Sequence, residues 1–288
     1  MTAVTQTITD ELRRWILAQA EAGCRPEDVL QAMKVSGWEE GVAISALRDT
    51  IAQAQGLAPA SPPAPADEAA RSVPQPAADG VPVVVLAGGH EVRVLASLRD
   101  PRIVVFGGLL TDAECMELMA LAAPRLARSE TVGANDAGTE VNAARTSDGM
   151  FFERGEKPLI ATLEARIAEL LRWPVDHGEG MQVLRYRPGA EYRPHYDYFD
   201  PAHAGTPRIL QRGGQRVATL VMYLDTPGAG GATVFPDIGL EVASVRGHAV
   251  FFSYARPHPS TRTLHGGSTV LAGEKWVATK WLREGVFV

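Results

Sequence analysis

Cysteine is nearly absent: the 288 residues hold two, Cys24 and Cys115. Two thiols so far apart in the chain exclude a Cys-based zinc site or a disulfide framework, and they predict free thiols in a reducing compartment. Blocks of Lys and Arg are missing too, and 28 basic residues against 34 acidic ones leave a formal net charge of −6. Proteins that coat nucleic acid carry a basic stripe, so nucleic acid is not an expected partner. No uninterrupted apolar run approaches the roughly 20 residues needed to span a bilayer. The opening MTAVTQTITDELRRW has neither the basic start nor the apolar middle of a secretory signal. These absences predict a soluble, cytoplasmic protein without a membrane partner. What is present is globular material, 45% hydrophobic and 22% charged, in a chain long enough for one substantial domain and a smaller one.

Three regions separate by composition. In residues 1–55, Leu12, Trp15, Ile16 and Ala20 recur at helical spacing and Gly23 offers a stop. Pro26 followed by Glu27 and Asp28 suits a second helix start, with Val29, Leu30 and Met33 as its apolar stripe. A third helix is expected from about Glu39 to Ala54, carrying Val42, Ile44, Leu47 and Ile51, which completes a small three-helix bundle. Residues 56–80 then lose their large apolar side chains. Pro59, Pro62, Pro63, Pro65, Pro74 and Pro76 alternate with Ala, Ser and Asp, the composition of an extended, mobile linker.

Residues 81–288 read as an α+β domain. PVVVLAG, HEVRVLA and RIVVFGG are expected strands, and Thr111 with Glu114 forms a capping box ahead of a helix with Leu118, Met119 and Leu121. A second helix follows Pro158, with Leu159, Ile160, Leu163, Ile167 and Leu170 on one face. After Gly180 short strands dominate: MQVLRYR, EYRPHYDYF, VATLVMYL, TVFP, HAVFFSY and KWVATKWL, separated by Gly- and Pro-rich turns. That density predicts a closed or double-sheet β architecture with the helices packed outside.

The chemically informative segment is YRPHYD. Residues two apart on a strand share a face, so His195 and Asp197 point together while Tyr196 points away. An imidazole beside a carboxylate supplies two ligands of a 2-His-1-carboxylate triad, which leaves three positions open on Fe(II) for a bidentate 2-oxo acid and O2. The third ligand must come from a distant strand, with His258 and His265 as candidates. His258 sits between two prolines in an expected loop, whereas His265 opens the last strand pair and is followed by Lys275, so His265 is the choice. A co-substrate carboxylate reaching inward from the metal needs a cationic partner, because a buried unpaired charge is costly; Lys275 fits.

The blocks LRYRPGAEYRPHYDYF, RVATLVMYL, GGATVFP and LHGGSTVLAGEKWVATKWLRE, in this order between Met181 and Arg283, resemble the catalytic domain of prolyl 4-hydroxylase-like Fe(II)/2-oxoglutarate-dependent dioxygenases. A weaker part of the resemblance starts near Arg102 and includes ARTSDGMFF around Arg145. The resemblance implies a double-stranded β-helix (jelly-roll) core and iron held by His195, Asp197 and His265. It further implies that Lys275 pairs with the distal carboxylate of 2-oxoglutarate, that Tyr186 and Thr219 hydrogen-bond the same end, and that Trp281 lines the pocket. Arg145 and Tyr192 are candidates for substrate contact, while GGATVFP itself reads as a structural turn permitted by Gly230 and Gly231.

The implied reaction hydroxylates an unactivated C–H bond, with O2 consumed, succinate and CO2 released, and ascorbate as reductant. A prolyl residue of a protein or peptide is the expected target, and a free amino acid or other small molecule the alternative. A reading of another class is an adaptor: GWEEGVAISAL resembles ubiquitin-associated-type bundles, which implies a protein partner for residues 1–55.

Overall fold

The computed structural model describes residues 10–21, 24–38, 42–44, 46–47, 50–51, 71–76, 82–128, 131–132, 139–140 and 146–288. The chain divides into two compact units, Met1–Pro63 with Asp237–Gly239 and Ala64–Pro236 with Leu240–Val288.

In the first unit, helices α1 (Asp10–Glu21) and α2 (Pro26–Val35) form where the apolar spacing predicts them. Proline in the first turn of α2 sacrifices no hydrogen bond, and Glu27 and Asp28 complement the helix dipole. Ile16 and Met33 meet Ala43 and Ala46 in a small buried cluster. Residues 42–44, 46–47 and 50–51 are helical; the rest of the expected third helix lies outside the described residues. Residues 56–70 and 77–80 of the expected linker lie outside them as well. Residues 71–76 depart from the linker reading. They are neither helix nor strand, but the Arg71 N–H donates to the Ala255 carbonyl at 2.8 Å, the Arg71 side chain reaches Glu284 at 3.0 Å, and Pro74 and Pro76 are buried. Apolar burial of the proline rings and one ion pair hold a segment whose composition alone reads as free.

The second unit is built on a large antiparallel sheet. Its strands in chain order are β1 (Val84–Ala87), β2 (His90–Leu98), β3 (Ile103–Gly107), β4 (Ala127–Arg128), β5 (Asp148–Phe152), β6 (Gly178–Tyr186), β8 (Arg216–Tyr223), β11 (Ala249–Ser253) and β13 (Lys275–Arg283), lying side by side as β1-β2-β3-β11-β8-β13-β6-β5-β4. A smaller four-stranded sheet contains β7 (Tyr192–His195), β9 (Thr233–Phe235), β10 (Leu240–Val242) and β12 (His265–Gly267), in the order β10-β9-β12-β7.

Strand β13 is buried along its whole length, and its alternation divides the labour. Trp276, Ala278 and Leu282 join the apolar core under helices α3 (Asp112–Ala122) and α4 (Pro158–Leu171), with Leu118, Leu163, Ile167 and Leu170 opposite. The other face, Lys275, Val277, Thr279 and Trp281, lines a cavity whose far wall is the small sheet. A strand with two buried faces has no solvated side to carry polar residues, so each of its lysines needs a specific environment. Lys280, on the helix face, finds one in Glu164 of α4, its Nζ 2.5 Å from the carboxylate.

Helix α3 starts with the capping box expected at Thr111: its hydroxyl accepts from the Glu114 N–H at 3.2 Å, and the Glu114 carboxylate accepts from the Thr111 N–H at 2.8 Å. The same carboxylate takes both terminal nitrogens of Arg166, at 2.9 and 2.7 Å, which bolts α3 to α4. Helix α4 begins at Pro158 and ends on Arg172 in the left-handed conformation (φ +51°). The two helices therefore cover one face of the large sheet, and the opposite face is free to form a site with the small sheet.

Candidate metal centre

Strand β7 brings His195 into the cavity and the chain delivers Asp197 two residues later, so the two side chains share a side as the alternation requires. Strand β12 runs antiparallel to β7 with His265 paired to His195, which brings the two imidazoles together with their planes tilted by 51°. Their ring centroids are 4.4 Å apart. His195 Nε2 lies 3.5 Å from Asp197 Oδ1, and His265 Nε2 lies 3.4 Å from Oδ2. One ligand atom from each residue falls within 4.8 Å of the others, a spacing one cation can bridge.

Both histidines are held in the tautomer a metal needs. His195 Nδ1 contacts the Arg193 carbonyl at 2.9 Å, and His265 Nδ1 contacts the Thr263 carbonyl at 3.1 Å. A carbonyl only accepts, so each Nδ1 carries the proton and each Nε2 presents a lone pair to the cavity. Burial holds the His265 imidazole down at about 4, against the partial opposition of Asp197, so the ring is neutral at physiological pH. For Asp197, burial pushes the carboxyl up, but the positive charge that His265 and His195 carry when protonated, together with the Arg216 guanidinium, prevails and holds it well below the usual carboxylate range. One carboxylate and two imidazole nitrogens form a mixed N/O set that suits a ferrous ion better than a closed structural zinc site.

His258, the other candidate for the third ligand, is elsewhere. Its Nδ1 accepts from the Ser260 N–H at 3.1 Å and caps the short turn Pro259–Thr261.

Lys275 opens β13 opposite Tyr186 and reaches the same cavity. It is 4% exposed, and its Nζ stands 5.6 Å from the centre of the Tyr186 ring and 6.0 Å from that of Tyr223. Among the described residues no carboxylate raises it, and burial alone lowers its ammonium to about 8. Glycines make room for it: a Cβ on Gly231, whose φ is +73°, would meet the lysine stem at 3.3 Å, and one on Gly267 would meet Nζ at 3.5 Å. A buried cation without a protein counter-charge is a receptor for an anion.

The remaining expected residues divide. Tyr186 and Trp281 line the cavity; the Trp281 indole N–H is buried without a protein acceptor, and the Arg216 guanidinium lies 4.1 Å from the ring centre. Tyr192 stacks on the His195 imidazole with centroids 3.7 Å apart, bracing the ligand. Arg145 lies outside the described residues. Thr219 is not among the cavity-lining residues; its hydroxyl donates to Asp197 Oδ2 at 2.7 Å. Two threonines line the cavity with Lys275 instead, Thr279 of β13 and Thr233 of β9, and the turn reading of GGATVFP overlooked the second. The Tyr223 hydroxyl donates to Thr233 Oγ1 at 2.8 Å and leaves the threonine's own hydrogen for a ligand. Arg216 was also missed. It grips Glu179 with two bonds of 2.7 and 2.8 Å beside the metal carboxylate, and nothing local in GGQRVAT distinguishes it from a surface arginine.

With this geometry in view, comparison with known proteins is specific. Residues 181–283 match the family model of the 2OG-Fe(II) oxygenase superfamily. The chain is 37% identical over 209 residues to probable prolyl 4-hydroxylase 3 of Arabidopsis thaliana, covering 65% of this chain and 71% of that one. It is 41% identical over 202 residues to prolyl 4-hydroxylase 1 of the same plant, covering 64% and 70%. Among solved structures, the viral collagen prolyl hydroxylase of Paramecium Bursaria Chlorella virus-1 in its 2OG complex shows 30% identity, a TM-score of 0.49 and coverage of 63% of this chain and 95% of that one.

Proposed function

The chain belongs to the prolyl 4-hydroxylase-like 2OG-Fe(II) oxygenases, and from that membership we propose that it hydroxylates a prolyl residue of a protein or peptide. Its co-substrates are 2-oxoglutarate and O2, its metal is Fe(II) held by His195, Asp197 and His265, and ascorbate serves as reductant. The observation that carries this reading is the pairing of a two-histidine, one-carboxylate cluster with a buried, uncompensated lysine in one cavity.

Fe(II) bound there supplies O2 activation, coupled to oxidation of 2-oxoglutarate to succinate and CO2, with one oxygen atom placed in the product hydroxyl. The protein's own side chains do the rest. The carbonyls of Arg193 and Thr263 keep both Nε2 lone pairs aimed inward. Lys275 neutralises the far carboxylate of 2-oxoglutarate, with the Thr233 hydroxyl and Tyr186 beside it, so the co-substrate enters in one orientation. Leu184, Val221 and Val277 make the intervening wall apolar and exclude water from the reacting end. Trp281 offers its free indole N–H on the same wall, where it can hold a polar atom of the bound co-substrate or substrate.

The two facing sheets support a double-stranded β-helix as the architecture of this unit. The helices of residues 1–55, with their own apolar cluster, support a separate module that binds a protein partner. The free thiols of Cys24 and Cys115 support a reducing compartment such as the cytoplasm.

The test is 2-oxoglutarate-dependent release of succinate by protein loaded with Fe(II) and ascorbate, in step with a +16 Da product on proline-rich peptides. Asp197→Ala is expected to abolish both signals. Equal turnover by that variant would overturn the assignment.

A further inference from the structure

The hydroxyl of Thr219 on β8 touches two groups, Asp197 Oδ2 at 2.7 Å and the Tyr254 hydroxyl at 2.9 Å. Proton counting fixes the direction of both bonds. An ionised carboxylate only accepts, so the single hydrogen of Thr219 goes to Asp197. Thr219 then has only lone pairs for its other neighbour, so Tyr254 donates to it. The chain runs one way, Tyr254 to Thr219 to Asp197. Thr219 is 0% and Tyr254 2% exposed, which leaves water no access to replace either link. Tyr254 also stays a donor at any working pH, because burial, reinforced by the charge of Asp197, keeps its hydroxyl protonated.

The two carboxylate oxygens are otherwise close to equivalent: Oδ1 is 3.5 Å from the His195 nitrogen and Oδ2 is 3.4 Å from the His265 nitrogen. Nothing in those distances stops Asp197 from chelating a cation with both. We propose that Tyr254 and Thr219 are positioning residues that occupy Oδ2 and so hold Asp197 to one metal bond, through Oδ1. The consequence is in the coordination count. Three protein bonds leave three positions of an octahedral ion for a bidentate 2-oxo acid and O2, whereas a chelating carboxylate leaves only two. Thr219 acts directly on the ligand and Tyr254 only through Thr219.

The inference rests on the metal-centre reading above, and Co(II) binding separates the two. Calorimetric titration of metal-free protein with Co(II) is compared for the native chain, Thr219→Val, Thr219→Ser, Tyr254→Phe and the Thr219→Val/Tyr254→Phe pair, with melting temperature as a folding control. Visible absorption of each Co(II) form reports coordination number. Thr219→Val is expected to weaken Co(II) by about 10- to 100-fold, the usual cost of losing a partner of a metal ligand, and to change the Co(II) spectrum. Thr219→Ser restores the hydroxyl and with it native affinity and spectrum. Tyr254→Phe gives a smaller loss, and adding it to Thr219→Val causes none. Native affinity and spectrum in Thr219→Val would overturn the proposal, as would a Tyr254→Phe loss of equal size with or without Thr219. If Thr219→Val fails to fold, the smaller affinity loss and altered spectrum of folded Tyr254→Phe carry the test, and their absence overturns the proposal. A native chain that fails to bind Co(II) at all would instead defeat the metal-centre reading itself.

Discussion

Titrating 2-oxoglutarate into Mn(II)-loaded protein at pH 9 should draw a proton from the buffer. Lys275 is 4% exposed, and burial brings its ammonium from 10.5 down to about 8. That difference corresponds to roughly 3 kcal/mol favouring the neutral amine over the cation relative to water. At pH 9 about nine in ten Lys275 side chains are therefore neutral before the co-substrate arrives. A carboxylate at contact distance restores the advantage of the charged form, so binding takes up about 0.9 proton at pH 9 and almost none at pH 6.5. The apparent affinity weakens by about tenfold over the same rise. Calorimetry in buffers of differing ionisation enthalpy reads the uptake directly, and Mn(II) prevents turnover. Lys275→Met should erase the uptake and weaken binding by roughly 10- to 150-fold, the value of a charge-assisted hydrogen bond. Affinity independent of pH, with no proton taken up at pH 9, would refute the claim that Lys275 is the anion receptor.

Thr233→Val is expected to raise the KM for 2-oxoglutarate by about 2- to 12-fold, one neutral hydrogen bond, while leaving Co(II) affinity as it is; steady-state kinetics and the cobalt titration together check this. Metal-free protein should lose stability as the pH falls from 6.5 toward 4. The sign follows from His265, whose folded-state value of about 4 lies below its ordinary 6.5, so the unfolded chain binds more protons within that window. The loss amounts to at most roughly 3 kcal/mol, and below 3.8 the depressed carboxyl of Asp197 extends it. Melting curves of native and His265→Gln protein should diverge in slope between pH 4 and 6.5, and parallel slopes would count against a neutral buried imidazole.

What was legible in the sequence was whatever depends on period and local chemistry. The alternation of YRPHYD placed His195 and Asp197 on one side, the Thr111–Glu114 box started α3, and proline marked the first turns of α2 and α4. His265 was preferable to His258 because one opens a strand and the other is trapped between prolines, and the structure gives His258 a capping task. The errors came where a role depends on which strand crosses opposite. Thr219 and Thr233 are both strand threonines; only the packing of the two sheets decides that the first meets Asp197 and the second lines the cavity that Lys275 reaches. Arg216 and Tyr254 likewise gain meaning from neighbours far along the chain, Glu179 and Thr219. Short elements such as Thr206–Leu210 and Leu240–Val242 are shorter than any periodicity can register. The held segment at residues 71–76 depends on Glu284 and Ala255, which its own composition cannot announce.

The claim beneath the rest is that His195, Asp197 and His265 hold one divalent ion between them. Co(II) binding under nitrogen measures it: the native chain should take up one ion per chain, and His265→Ala should lose at least about a hundredfold in affinity, in keeping with removal of a ligand rather than of a ligand's partner. An affinity for Co(II) in His265→Ala within twofold of the native value would contradict the account.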